Sequence, residues 1–181
     1  MKLVIGLIGR IASGKSIVAD YLVREKKAGY YRFSDVLRDV LLRLHKPNTR
    51  ENLQNLGISL RRVFGDGILA ETLRVDIESD ENRIVVVDGI RYEDEGKMNK
   101  GLGGIILYVT APQETRYERV INRASRGEAG ITFDEFKGNE MKETEVKIDS
   151  LGEQADYTIE NTSTIDELKR KIDDILAKRL I

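Results

Sequence analysis

The feature that most constrains this chain is the octapeptide Gly9-Arg10-Ile11-Ala12-Ser13-Gly14-Lys15-Ser16, a full match to G-x-x-x-x-G-K-[ST]. Its flanks are as informative as its letters. Leu3-Val4-Ile5-Gly6-Leu7-Ile8 precedes it as a short apolar run of the buried-strand type. After it, Ile17, Val18, Tyr21 and Leu22 recur on one face of a helix. Glycines let such a strand-to-helix turn bend until successive N–H groups converge on an anion, and the helix start adds the positive end of its dipole. The spacing predicts phosphate contacts along Gly9, Ile11, Ala12, Ser13, Gly14 and Ile17. Lys15 would reach the β- and γ-phosphates of a nucleoside triphosphate and the Ser16 hydroxyl would ligate Mg2+. A glycine-rich turn with a chance Lys-Ser explains the string but not its flanks.

The length of 181 residues suits one compact domain with a sizeable core. Alternation of short apolar runs with helical patterns predicts how that domain is layered. The runs are Leu3–Ile8, Tyr30–Phe33, Arg83–Val87, Ile105–Val109 and Tyr157–Ile159, and the third and fourth are apolar throughout, as strands covered on both faces should be. Between them, Val36, Leu37, Val40, Leu41 and Leu44 form a helical stripe. Asn48 with Glu51 reads as a capping box that opens a second stripe of Leu53, Leu56, Leu60 and Phe64. Pro112 marks a helix start, and Thr132 with Glu135 and Thr164 with Glu167 are two more boxes. A parallel α/β sheet follows. The segment from Arg126 to Gly138, with three glycines and mixed charge, reads as a mobile excursion over the site.

Composition removes several function classes. A net charge of −1 gives no bulk attraction to nucleic acid or membrane, and zero cysteines exclude disulfides, thiolate metal sites and a cysteine nucleophile. The apolar start is too short to span a bilayer and lacks the layout of a cleaved signal, so a cytoplasmic protein is the default expectation.

In an open parallel sheet ligands gather at the carboxyl ends of the strands. The second run ends in Phe33-Ser34-Asp35, which puts Asp35 in reach of phosphates as a base or an orienter of Mg2+-bound water; capping the next helix is its bland alternative. Arg38, one turn on and off the apolar stripe, suits an acceptor phosphate. The third run ends in Val87-Asp88-Gly89-Ile90-Arg91, where Asp88 has the Walker B position near Mg2+ and Arg91 leaves toward the same crevice. Arg116, Arg119, Arg123 and Arg126 share one helical face, at a cost of about 0.2–0.5 kcal/mol per like-charged pair that an anionic ligand would reverse. Of these, Arg119 and Arg123 are the favoured forks for transferring phosphates. Asn161-Thr162-Ser163 follows the fifth run and suits either a base-reading loop or a plain cap. Asn99-Lys100-Gly101-Leu102 lacks the Asp of a guanine-reading N-K-x-D and precedes a strand, which counts against a GTP switch.

These pieces resemble the P-loop nucleoside and nucleotide kinases over nearly the whole chain, and most of all adenylate kinase-related proteins. SDVLR (34–38) looks like their acceptor motif, DGIR (88–91) like DGxPR, and ERVINR (118–123) like the arginine pair that opens a lid. ADYTIENTSTIDEL (155–168) is also similar to dephospho-CoA kinases. The resemblance implies a three-layer P-loop NTPase fold around a five-stranded parallel sheet, with acceptor-binding helices over 34–80 and a small helical lid over 124–140. It implies triphosphate contacts at residues 9–16, acceptor contacts at Asp35, Arg38 and Arg91, and lid contacts at Arg119 and Arg123. The activity implied is transfer of the γ-phosphoryl group of Mg2+–ATP to a small phosphorylated acceptor. A nucleoside monophosphate ranks first and dephospho-CoA second, the latter with Asp35 as base. A regulatory or assembly ATPase is the rival class. The expected state is a monomer or homodimer without nucleic acid or membrane partners. The chain departs from the pattern in three places. DGIR is one residue short and lacks the proline, the lid has no cysteines for zinc, and Lys137 and Lys142 stand where larger adenylate kinases carry a second arginine pair.

Overall fold

The computed structural model describes residues 2–122, 130–141 and 143–180. Its centre is a five-stranded sheet of β1 (Leu3–Ile8), β2 (Gly29–Arg32), β3 (Ile84–Asp88), β4 (Ile105–Thr110) and β5 (Tyr157–Glu160). The order across the sheet is β2-β3-β1-β4-β5, and every pair is parallel. The chain runs out to β2, returns to β3 beside β1, then crosses to β4 on the other side. The two directions of winding meet at β1, so the crevice at its carboxyl end is where a ligand belongs.

The side-chain alternation of a strand explains why β1 is apolar at every position. Leu3, Ile5 and Leu7 enter one core with Val18 and Leu22 of α1 (Lys15–Lys26) and Leu168 and Ile172 of α9 (Ile165–Arg179). Val4 and Ile8 enter the opposite core. There Leu37 of α2 (Phe33–Arg43), Leu69, Leu73 and Ile77 of α4 (Ile68–Ser79) and Met98 of α5 (Glu93–Gly101) meet them. Burial of each large aliphatic side chain in either layer contributes about 1.5–3 kcal/mol. The fold is therefore the expected three-layer α/β arrangement.

The remaining helices are α3 (Arg50–Phe64), α6 (Gln113–Ile121), α7 (Phe133–Glu140) and α8 (Glu143–Glu153). Three local expectations change. The second strand stops at Arg32, because Phe33 is already the first residue of α2 and its ring turns inward. The third strand runs one residue later, from Ile84 to Asp88, which brings the carboxylate into the ladder beside Arg32. The cap of α3 is Thr49, whose hydroxyl accepts from the Asn52 N–H at 3.1 Å, and not Asn48. Gly138 lies inside α7, whose Phe136 packs with Ala12 and Val120 in a third small core. Thr132 and Glu135 do form a reciprocal capping box at its start.

Candidate active site

The turn from β1 to α1 wraps its own lysine. Lys15 Nζ donates to the carbonyls of Gly9 at 2.5 Å and Arg10 at 3.4 Å, which holds the ammonium across the mouth of the loop. Gly14 has a φ of 111°, and a Cβ there would stand 2.1 Å from Asn161 Nδ2, so only glycine fits. The Ser13 hydroxyl is buried and has no hydrogen-bond partner among the described residues. A buried polar atom of this kind is costly unless something polar completes it. The N–H of Ile17 donates to Gly14 O at 2.9 Å, within the helix, so Ile17 has no main-chain donor to offer a phosphate.

At the end of β3, Asp88 shows a division of labour between its oxygens. Oδ2 accepts from the Tyr30 hydroxyl at 2.7 Å, while Oδ1 is buried without a partner. Burial pushes the Tyr30 phenol up, and its bond to Asp88 pushes it further, so this tyrosine stays a donor. Gly89 at φ 83° then turns the chain, and both its N–H and that of Ile90 reach back to Leu7 O at 3.2 Å. Ser16 and Asp88 are thus the oxygen donors that could serve a divalent cation. No group of three or more acidic, His or Cys residues that could hold a metal ion stands together among the described residues. That donor set fits Mg2+, which keeps waters and shares phosphate oxygens.

One cavity of about 600 Å3 runs from this loop across the switch point. Residues 11–16, Asp88 and Gly89 line its loop side; Arg50, Gln54 and Arg61 of α3 with Arg91, Tyr92 and, from α5, Glu95 line the other, and Phe33, Leu37, Leu53 and Leu69 add apolar lining. Arg32 also faces it, so five cations meet two carboxylates in its lining. Anionic ligands complete such a balance.

The end lined by α3 is the less legible part of the sequence. Arg50, Gln54 and Arg61 are hidden because only their spacing along one face separates them from the other polar residues of α3, such as Glu51, Asn52, Asn55 and Arg62. Glu95 is 2% exposed. Its Oε2 accepts from the N–H groups of Arg91 at 2.8 Å and Tyr92 at 3.3 Å, and its Oε1 lies 3.6 Å from Arg61. The Arg61 guanidinium covers the Tyr92 ring at 4.8 Å. Burial dominates the electrostatics and lifts the Glu95 carboxyl to about 7 against the pull of these donors.

Asp35 and Arg38 stand elsewhere. Asp35 sits on the first turn of α2 and Arg38 on the second, and neither lines the cavity. Asp35 takes two bonds from Arg32 and one from Arg38 at 2.7 Å, and Arg38 also donates to Ser34 Oγ. Partial burial would raise the Asp35 carboxyl, but the two guanidinium groups outweigh it and hold it below the usual range. Arg119 bonds the carbonyls of Ala12 at 3.2 Å, Ser13 at 3.3 Å and Asn161 at 2.7 Å. Asn161, itself buried, donates to Ser13 O at 2.8 Å. Arg116 is buried and pairs with Glu140. Arg123, Arg126 and Lys142 lie outside the described residues.

Comparison with known proteins agrees with this architecture. A family model described as AAA domain matches residues 5–147. A UPF0200 protein of Hyperthermus butylicus is 32% identical over 181 residues, covering 99% of this chain and 94% of that one. Another, of Sulfurisphaera tokodaii, is 32% identical over 179 residues, covering 98% and 97%. Among solved structures, shikimate kinase from Aquifex aeolicus superposes with a TM-score of 0.59 at 19% identity, covering 99% of each chain. A gluconokinase from Sinorhizobium meliloti gives 0.57 at 16%, covering 97% of this chain and 92% of that one. At such identities the likeness is one of fold, the α/β P-loop NTPase fold. The chain belongs to the AAA domain family and, with its full-length relatives, to the UPF0200 proteins.

Proposed function

We propose that this protein is a Mg2+–ATP-dependent phosphotransferase whose acceptor is a small phosphorylated molecule, a nucleoside monophosphate. The observation that carries the reading is the cavity itself. One end is a phosphate loop with its lysine, the other gathers Arg50, Arg61 and Arg91, and Phe33, Leu37, Leu53 and Leu69 add apolar lining. A switch or assembly ATPase needs only the first end.

In this reading an oxygen of the acceptor phosphate attacks the γ-phosphorus in line, the bond to the β-bridging oxygen breaks, and ADP leaves. The loop N–H groups and Lys15 take up the migrating charge, and the arginines orient the acceptor. Ser16 and Asp88 would hold Mg2+, which when bound would neutralise β- and γ-phosphate charge. Arg119 and Asn161 flank the donor side of the loop, and Arg123 is retained as a lid fork. Asp35 and Arg38 pair on α2 outside the cavity lining, so the acceptor contacts fall to Arg50, Arg61 and Arg91 instead.

Dephospho-CoA remains the second acceptor, and one observation ranks it lower. A ribose hydroxyl needs a base, and Asp35 lies outside the cavity lining with its carboxyl held below the usual range by Arg32 and Arg38, which makes it a weak one. A monophosphate is already anionic and needs no such base. The test is a coupled assay of ADP release from Mg2+–ATP with a panel of nucleoside monophosphates, dephospho-CoA, shikimate and gluconate. At least tenfold stimulation by a nucleoside monophosphate is expected. Release that no acceptor stimulates would sink the transferase and favour an ATPase.

A further inference from the structure

The phosphate loop is held from behind as well as shaped from within. Its carbonyls are taken in turn by cations and amides. Gly9 and Arg10 serve Lys15, Ile11 accepts from Arg116 Nη1 at 3.5 Å, and Ala12 and Ser13 accept from Arg119, with Asn161 on Ser13 as well. A trans peptide points its C=O and the following N–H in opposite directions. A carbonyl fixed toward the back of the loop therefore aims the next N–H toward the front. The N–H groups of Ala12 and Gly14 donate to no main-chain carbonyl among the described residues, as donors reserved for an anion should.

Arg116 was grouped by spacing with the phosphate forks, yet its side chain is buried and turned away from the cavity's lining. Its Nε donates to Ala111 O at 3.0 Å, and Nη1 and Nη2 are paired with the carboxylate of Glu140. Glu140 is 3% exposed and comes from α7, 24 residues along the chain. It also accepts from Gln113 Nε2 at 2.7 Å. Arg10, inside the loop, extends the same cluster: it binds Asp149 of α8 through Nε and Nη2 and the Glu140 carbonyl through Nη1, and Tyr108 holds the other side of Asp149. Two cations from the loop and α6 thus meet two carboxylates from α7 and α8, behind the cradle.

We propose that Glu140 is a positioning residue for nucleotide binding: acting through Arg116, it holds the Ile11 carbonyl at the rear of the loop and so aims the Ala12 N–H at the phosphates. The inference rests on the nucleotide-loop half of the proposed function and not on the acceptor. It makes α7, the helix that ends the expected lid, part of the donor site's geometry.

Titration of the full chain with N-methylanthraniloyl-ATP and Mg2+ tests it, beside thermal melts without nucleotide. Glu140→Gln keeps the shape and removes the charge, and should raise Kd about tenfold in protein that is still fully folded at the titration temperature. Arg116→Lys keeps the cation but loses the fork, and should raise Kd at least fivefold. A merely structural role would lower the melting temperature of these variants and leave Kd of the folded fraction alone. Kd within twofold of the parent in both folded variants overturns the proposal. Should Glu140→Gln fail to fold, Arg116→Lys decides by the same threshold. Failure of the unsubstituted chain to bind the probe would instead strike the nucleotide reading itself.

Discussion

The two ends of the cavity are built on different principles. The donor end is main chain: eight consecutive residues, a glycine that nothing else can replace, and carbonyls tied down by Lys15, Arg116, Arg119 and Asn161. The acceptor end is side chain: arginines and a glutamine spread along α3, with Tyr92 and the buried Glu95 of α5 facing them. A main-chain cradle recognises only phosphate, whatever is attached to it. A side-chain end can be altered one residue at a time without disturbing the fold, and under the proposed function that is where acceptor choice belongs.

If the difference is real, substitution at the donor end should abolish turnover with every acceptor. Lys15→Ala is expected to lower kcat by roughly 10^2–10^3-fold across the panel while the unfolding midpoint stays within error, read from initial rates and a urea melt. Selective loss with one acceptor would break the contrast.

The acceptor end should reveal itself through pH. Glu95 has a folded pKa of about 7 against an ordinary value of 4.5. Between these values the native state holds the proton that the unfolded chain has released, so stability from this site falls as pH rises through the window. It is lowest above 7, by up to about 3 kcal/mol. Denaturant melts at pH 5 and pH 8 should show that fall in the parent and a much flatter response in Glu95→Gln. Equal slopes in both would mean that Glu95 does not govern the pocket's electrostatics.

The smallest effects sharpen the boundary. Arg50→Ala removes a cation from the cavity lining and should raise the acceptor KM about tenfold with the ATP KM unchanged. Arg38→Ala removes one that lies outside the lining and should leave the acceptor KM within about twofold, as surface changes away from a site usually do. Inversion of these two results would return the acceptor site to the N-terminal half of α2.

The same contrast explains what could be read in the chain alone. β1, its loop and α1 are contiguous, so local pattern sufficed, and the five strands appeared within a residue or so of their observed ends. Asp88 was legible because it ends an apolar strand. The pairing of Arg116, which shares a helical face with the favoured forks Arg119 and Arg123, was not legible because its partner, Glu140, is 24 residues away and nothing local announces the pair. Arg50, Gln54 and Arg61 were missed because α3 carries its own apolar stripe and its polar face resembles any solvated one until α5 is packed against it. Long-range pairing, and not weak propensity, set the limit.

The junction of β2 and α2 has a mechanical consequence. Helix α2 begins on the residue after the strand ends, and Tyr30 of that strand is pinned to Asp88. The edge strand and the helix therefore form one stiff beam with no slack between them. Between α2 and α3, by contrast, lie residues 44–49, with His45 at φ 55°. Should the cavity widen or narrow around guests of different size, the travel falls on that second joint and swings α3. Asp88 and the phosphate loop then stay as a fixed anvil.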